Sequence, residues 1–101
     1  MKLYLKPQAQ QDLQELLEHI ARENNDAALR VKDAFIETFT LLCENAHIGV
    51  LIEDIVIDDI RYFTVSKYRQ FTLFYKVNSK GVEIIRLGYG SRDWMSLLFP
   101  H

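Results

Sequence analysis

A chain of 101 residues, 49% apolar and 26% charged, has the make-up of one ordinary globular domain. It is long enough to bury roughly 65% of the surface its unfolded form exposes. No apolar run approaches the roughly 20 residues of a membrane span, and the first residues lack the apolar stretch of a secretion signal. The single cysteine excludes an internal disulfide and fits a reducing cytoplasm. The net charge of −2 conceals a split, because residues 1–59 carry −7 and residues 60–101 carry +5. Such an asymmetry either turns the C-terminal half toward an anionic target or describes an idle dipolar surface.

Residues 2–6 alternate, with Leu3 and Leu5 on one side and Lys2, Tyr4 and Lys6 on the other, which predicts a half-buried strand. Pro7 ends it and suits the first turn of a helix. Over residues 8–24 the side chains of Ala9, Leu13, Leu16, Leu17, Ile20 and Ala21 form a helical stripe. Asn24-Asn25-Asp26 breaks that helix, and Asp26 is placed to cap the next one. The second stripe is Ala27, Val31, Ala34, Phe35, Phe39, Leu42 and Cys43. So short a joint implies an antiparallel helix hairpin, whose apolar faces need a cover.

Residues 60–65 and 70–77 are rich in aromatic and β-branched side chains and predict strands. Asn78-Ser79-Lys80-Gly81 predicts a hairpin turn, with Gly81 free to take a positive φ. Residues 82–89 are apolar on both faces, as a central strand would be. Residues 94–99 predict a short closing helix that Pro100 ends, and residues 49–59 fit either an extra edge strand or an apolar loop. The expected class is α+β: an N-terminal strand, an antiparallel helix hairpin on a small antiparallel sheet and a short C-terminal helix. One domain spans residues 1–101.

The residues able to carry chemistry each admit two readings. Arg61 and Arg86 lie in predicted strands, so they are either ion-pair partners within the sheet or contacts to a target. Arg92-Asp93 is either a local ion pair or helix cap, or part of a site. Tyr68, Tyr75 and Tyr89 read as packing residues before catalysts. Cys43 and His47 have the i, i+4 spacing of a ligand pair, but Cys43 lies on an apolar stripe and reads as a buried thiol. His19 reads as a surface residue. No phosphate loop, hydrolase elbow or nucleophile–histidine motif is present. Near the end, Gly88 and Gly90 let the chain leave the sheet sharply, with Trp94 packed beneath the turn and Arg92 held outward.

The ordered set Asn25-Asp26-Ala27-Ala28, Ile48-Gly49, Ile60-Arg61-Tyr62-Phe63, Leu73-Phe74-Tyr75-Lys76-Val77, Ile84-Ile85-Arg86-Leu87 and Gly90-Ser91-Arg92-Asp93 resembles the ParE/RelE toxin superfamily. These are small toxins of bacterial type II toxin–antitoxin pairs, and the resemblance spans nearly the whole chain. It implies a RelE/ParE-like fold, a helix hairpin on a small antiparallel sheet. Tyr89-Gly90-Ser91-Arg92-Asp93 stands where ParE-like members often carry His-Gly-x-Arg-Asp, with Tyr89 in place of the histidine. His47 and Val50 replace the proline and arginine that often flank the Ile-Gly pair, and the run Glu53, Asp54, Asp58, Asp59 is more acidic than the family pattern.

The superfamily has two main activities, ribosome-dependent messenger RNA cleavage in RelE-like members and poisoning of DNA gyrase in ParE-like members. RNA cleavage by 2′-hydroxyl attack needs a base, positive charge for the phosphorane and an acid for the leaving oxygen. The resemblance puts Thr72, Gly90 and Ser96 where RelE-like toxins place such groups, and none of the three can supply them. The ParE-like branch is therefore favoured: a non-catalytic gyrase poison with no metal and no cofactor. Arg61, Arg69, Arg86, Tyr89 and Arg92 are its implied target contacts. The implied partners are a cognate antitoxin, in an assembly such as a heterotetramer, and gyrase or a gyrase–DNA complex, with no membrane. The apolar stretch at residues 50–57 and the acidic helical half offer the antitoxin's segment a surface. The alternatives are a RelE-like endoribonuclease acting on ribosome-bound messenger RNA and a degenerate toxin that only binds antitoxin.

Overall fold

A computed structural model describes residues 1–53, 59–89 and 98. The chain opens with β1 (Lys2–Leu5), whose Lys2 and Tyr4 are exposed while Leu3 and Leu5 pack on the core. Pro7 begins α1 (Pro7–Glu23), where its missing N–H leaves no intrahelical bond unmade. Asn24 alone separates this helix from α2 (Asn25–Glu44). Its extended backbone closes α1 through N–H to the Ile20 carbonyl, and its side-chain oxygen accepts the Ala27 N–H at 3.0 Å. The cap is thus Asn24 rather than the expected Asp26, because the chain turns on one residue and Asp26 already lies in the first helical turn. At the start of the α2 stripe Ala28, rather than the expected Ala27, is buried.

Four strands follow: β2 (Val50–Leu51), β3 (Arg61–Val65), β4 (Tyr68–Asn78) and β5 (Gly81–Tyr89). The sheet order is β1-β5-β4-β3-β2. β2 to β5 are successive antiparallel legs, whereas β1 runs parallel to β5 in the register Lys2↔Gly81 to Leu5↔Ile84. The sheet is therefore mixed, not antiparallel as expected. Four alternating legs leave β5 running with β1, and the apolar β5 gains a strand on each edge. The open question of residues 49–59 resolves into the two-residue edge strand β2 over part of its length; residues 54–58 lie outside the described residues. So does the closing helix expected at residues 94–99, apart from Leu98, which packs with Ile52, Ile60, Phe74 and Ile85 on the sheet face away from the helices.

The β4–β5 hairpin forms as expected: the Asn78 side chain accepts the N–H groups of Lys80 and Gly81, and Gly81 takes φ +138°. A Cβ at Gly81 would run into the Lys2 carbonyl, so the tight β1–β5 pairing itself requires glycine. A bulge opposite Phe74 and Tyr75 makes Ile85 an extra residue in β5.

The main core lies between the helices and the sheet, with Phe35, Leu42, Leu73, Tyr75, Val82 and Ile84 at its centre. Two buried hydroxyls hold its rim. Thr38, absent from the expected apolar stripe, bonds the Ala34 carbonyl at 2.8 Å and accepts the Ser66 N–H at 3.0 Å, fastening the β3–β4 hairpin to α2. Tyr75 packs, as its sequence context suggests, and its hydroxyl also donates to the Ala46 carbonyl at 2.9 Å and accepts the Gly49 N–H at 2.8 Å. A Cβ at Gly49 would collide with that hydroxyl. Burial pushes the Tyr75 phenol above its ordinary range, against the opposing pull of the Gly49 N–H and the Arg61 charge.

Tyr75→Phe strands the Gly49 N–H and the Ala46 carbonyl without partners, so urea unfolding at pH 7 is expected to show a loss of about 1–3 kcal/mol. The sign of the pH effect follows from the raised phenol. The unfolded tyrosine ionises first, near pH 10, so stability present below about pH 10 is lost as the pH climbs toward the folded value. Unfolding curves of the Tyr75→Phe protein should lack that alkaline component.

Candidate functional site

β5 outlasts its neighbour. β1 pairs with it only as far as Ile84, whose carbonyl then accepts the Lys6 N–H at 2.9 Å as the chain turns into α1. From Ile85 onward no strand among the described residues lies beside that edge of β5. Asp12, in the second turn of α1, takes the vacant place. One carboxylate oxygen accepts the Leu87 N–H at 3.0 Å and the Arg86 Nε–H at 2.8 Å, and the other accepts Arg86 Nη2 at 3.1 Å. Asp12 lies between Ala9 and Leu16 on the stripe that faces the sheet, so its carboxylate is carried inward and needs a partner there. The side chains are only 13% and 19% exposed, which makes this bidentate pair a far stronger contact than a surface ion pair.

Around this junction, α1 and the last turn of the sheet bound an open groove of about 700 Å³. Leu16 and Ile20 of α1, Val31 of α2, Phe71 of β4 and Leu87 of β5 form its apolar floor. An aromatic series leads out of the core: Phe35 stacks on Phe71 at 5.8 Å, Tyr68 stacks on Phe71 at 6.0 Å, and Tyr89 tilts against Phe71 at 5.4 Å. Tyr89 remains 57% exposed. Glu15, His19 and Gln70 stand at the rim, His19 exposed as its sequence context suggests.

The five expected contact residues do not form one cluster. Arg86 and Tyr89 share the groove, with Arg86 turned to Asp12. Arg61 lies toward the other edge of the sheet, half-buried, donating through Nη1 to the carbonyls of Gly49 at 2.9 Å and His47 at 3.3 Å. Arg69 is exposed on β4 between the groove residues Tyr68 and Gln70. Arg92, with Gly90 and Trp94, lies outside the described residues. Arg86 is thus an ion-pair partner, though of helix α1 and not within the sheet, whereas Arg61 bonds main-chain carbonyls and makes no ion pair among the described residues. Cys43 is half-buried rather than fully buried, and its carbonyl accepts the Met1 amino group at 3.3 Å.

Among the described residues no three His, Cys, Asp or Glu side chains converge as a metal site would require. On the open face of the sheet Thr72 has Thr64 and Gly88 as its cross-strand neighbours. The sequence reading passed over Asp12; its signal was a lone carboxylate three residues from Ala9 and four from Leu16, inside a helical stripe.

Comparison with solved structures bears out the architecture. The chain superposes on a protein of the chromosomal ParDE toxin–antitoxin system of P. aeruginosa with a TM-score of 0.73 at 21% identity, covering 90% of this chain and 97% of that one. The isolated E. coli RelE toxin matches with a TM-score of 0.52 at 15% identity, over 90% of this chain and 85% of that one. A chain of the intact E. coli RelBE toxin–antitoxin complex gives 0.51 at 15% identity, over 89% and 96%. No curated protein matches in sequence. The fold is that of the RelE/ParE-like toxins. Residues 3–94 match the model of the ParE toxin of type II toxin–antitoxin systems, parDE, and the chain belongs to that family.

Arg86→Ala strands a mostly buried carboxylate, so chemical unfolding is expected to show a loss of about 3 kcal/mol, the low end for breaking a buried pair. Asp12→Asn keeps the shape but loses the charge, and amide exchange at Leu87 should quicken relative to Val82, where β5 has a strand on each side. Arg69→Ala should leave stability within about 0.5 kcal/mol of the parent.

Proposed function

We propose that this ParE-family toxin acts by binding and poisoning DNA gyrase rather than by cutting RNA. The observation that carries the choice is the setting of Thr72. Its cross-strand neighbours Thr64 and Gly88 offer no group that exchanges a proton near neutral pH, so among the described residues these positions supply neither the base nor the acid that phosphodiester cleavage needs. On this reading Arg69, Tyr89 and Arg92 meet the gyrase–DNA complex, while Arg61 and Arg86 hold the strands that present them. Each arginine set against a phosphate removes about one unit from the salt dependence of binding when it is lost.

Toxins of this family bind cognate antitoxins. We place the antitoxin's helical segment over the outer face of the helix hairpin. There Leu17, Ala21, Ala28 and the 59%-exposed Leu29 form a shallow apolar groove, which the exposed Ile36 extends along α2. The helices carry Glu15, Glu18, Glu23, Asp26, Asp33, Glu37 and Glu44 against Arg22, Arg30 and Lys32, so a basic amphipathic segment is the complementary partner. A cytoplasmic toxin–antitoxin heterotetramer is the resting form.

Purified protein is expected to block supercoiling by purified gyrase and to accumulate cleaved DNA, with Arg69→Ala weaker at an unchanged melting temperature. Translating ribosomes given the same protein should yield intact messenger RNA. Codon-phased cuts there, with supercoiling unaffected, would make the endoribonuclease reading the correct one.

A further inference from the structure

The shallow groove on the outer face of the helix hairpin carries a charge of opposite sign on each bank. Leu17, Glu18 and Ala21 of α1 form one bank, and Ala28, Leu29 and Lys32 of α2 form the other. Ala21 and Ala28 are its smallest side chains, so a large apolar side chain of a partner can seat between the two helices there. Among the described residues that line the groove, Glu18 and Lys32 alone are charged. Helical spacing places both. Lys32 follows Leu29 by three residues and precedes Ile36 by four, so it interrupts their exposed apolar line. Glu18 precedes Ala21 by three residues on the facing helix.

Neither charge is neutralised within the hairpin. Glu18 is exposed and accepts the Gln14 side-chain N–H at 3.0 Å, a neutral donor that leaves the carboxylate charged. Lys32 is exposed and forms no ion pair among the described residues, with Glu18 or any other acid. The surroundings favour a different partner from the one Lys32 favours. Acidic side chains outnumber basic ones along both helices, so the field as a whole attracts a basic segment. At contact distance the nearest charge prevails over screened distant ones, and a uniformly basic segment would set a cation against Lys32.

We infer that Glu18 and Lys32 are the specificity determinants of this groove. They select a partner helix with a basic residue on the flank facing α1, an acidic residue on the flank facing α2 and a large apolar residue between them. The inference rests on placing the antitoxin's helical segment in the groove, and it adds the direction in which that segment lies. A helix turned end for end exchanges its flanks, which would set its basic residue against Lys32 and its acidic residue against Glu18. Apolar contact discriminates poorly between the two directions, whereas flanking charges favour one and penalise the other.

The test uses the full chain and fluorescein-labelled helical peptides of about 18 residues, long enough to hold a helix, followed by anisotropy. Each peptide presents one leucine-centred apolar face, flanked by lysine on one side and glutamate on the other, by lysine on both sides or by glutamate on both. The mixed peptide is expected to bind the parent chain tightest, about threefold tighter than the all-lysine peptide in spite of the acidic helices. Lys32→Glu should make the all-lysine peptide the tightest, at an unchanged melting temperature because residue 32 is exposed. Both preferences should shrink as salt is added. Leu29→Gln removes apolar surface from the groove and leaves both charges, so it should weaken all the peptides. If it does so while the parent prefers the all-lysine peptide, or while Lys32→Glu leaves the order unchanged, the charge determinants are overturned and the groove stands as the antitoxin's site. Binding indifferent to Leu29→Gln, or no binding by any of the peptides, would overturn the placement on the hairpin and this inference with it.

Discussion

One carboxylate determines how the two layers meet. α1 follows β1 after a single residue, so the helix must cross β5 just where β1 ceases to cover it. A bare edge there would expose backbone polar groups beside an apolar core, and Asp12 resolves this by bonding the Leu87 N–H as a strand would. The negative charge this brings inward is balanced by Arg86, which the bulge at Ile85 sets within reach. Helix position, strand bulge and arginine are therefore one arrangement. The groove beside Tyr89 exists because a helix with one acidic side chain, rather than another strand, closes that edge.

Two hydroxyls repeat the device at lower strength. Thr38 joins the β3–β4 hairpin to α2, and Tyr75 joins the middle of the sheet to the turn that follows α2. Each is buried, and each satisfies main-chain groups that no regular ladder reaches. Among the described residues no buried side-chain polar atom lacks a partner. These three links, added to the apolar core, hold the irregular segments against the helices and the sheet.

Most of the architecture was legible because it rests on periodicity and turn chemistry. The stripes of α1 and α2, the Asn78–Gly81 turn and the doubly apolar β5 each follow from local rules. The parallel β1–β5 pair was not legible, since orientation depends on the number of legs between them and the two-residue β2 adds one. Asn24 hid behind Asp26 because both residues are good caps and only the true helix end separates them. The site was less readable than the fold. An arginine in a strand looks the same whether it meets a partner protein or Asp12, and a contact spanning 74 residues leaves no mark in either segment.

The claim that Arg86 belongs to the scaffold, through Asp12, is open to a direct thermodynamic measurement. Urea unfolding of the parent, Asp12→Ala, Arg86→Ala and the double variant forms a cycle whose coupling isolates the pair. A favourable coupling of about 2 kcal/mol is expected, with the double variant scarcely less stable than either single one. Additive losses within about 0.5 kcal/mol would contradict it and return Arg86 to the target surface.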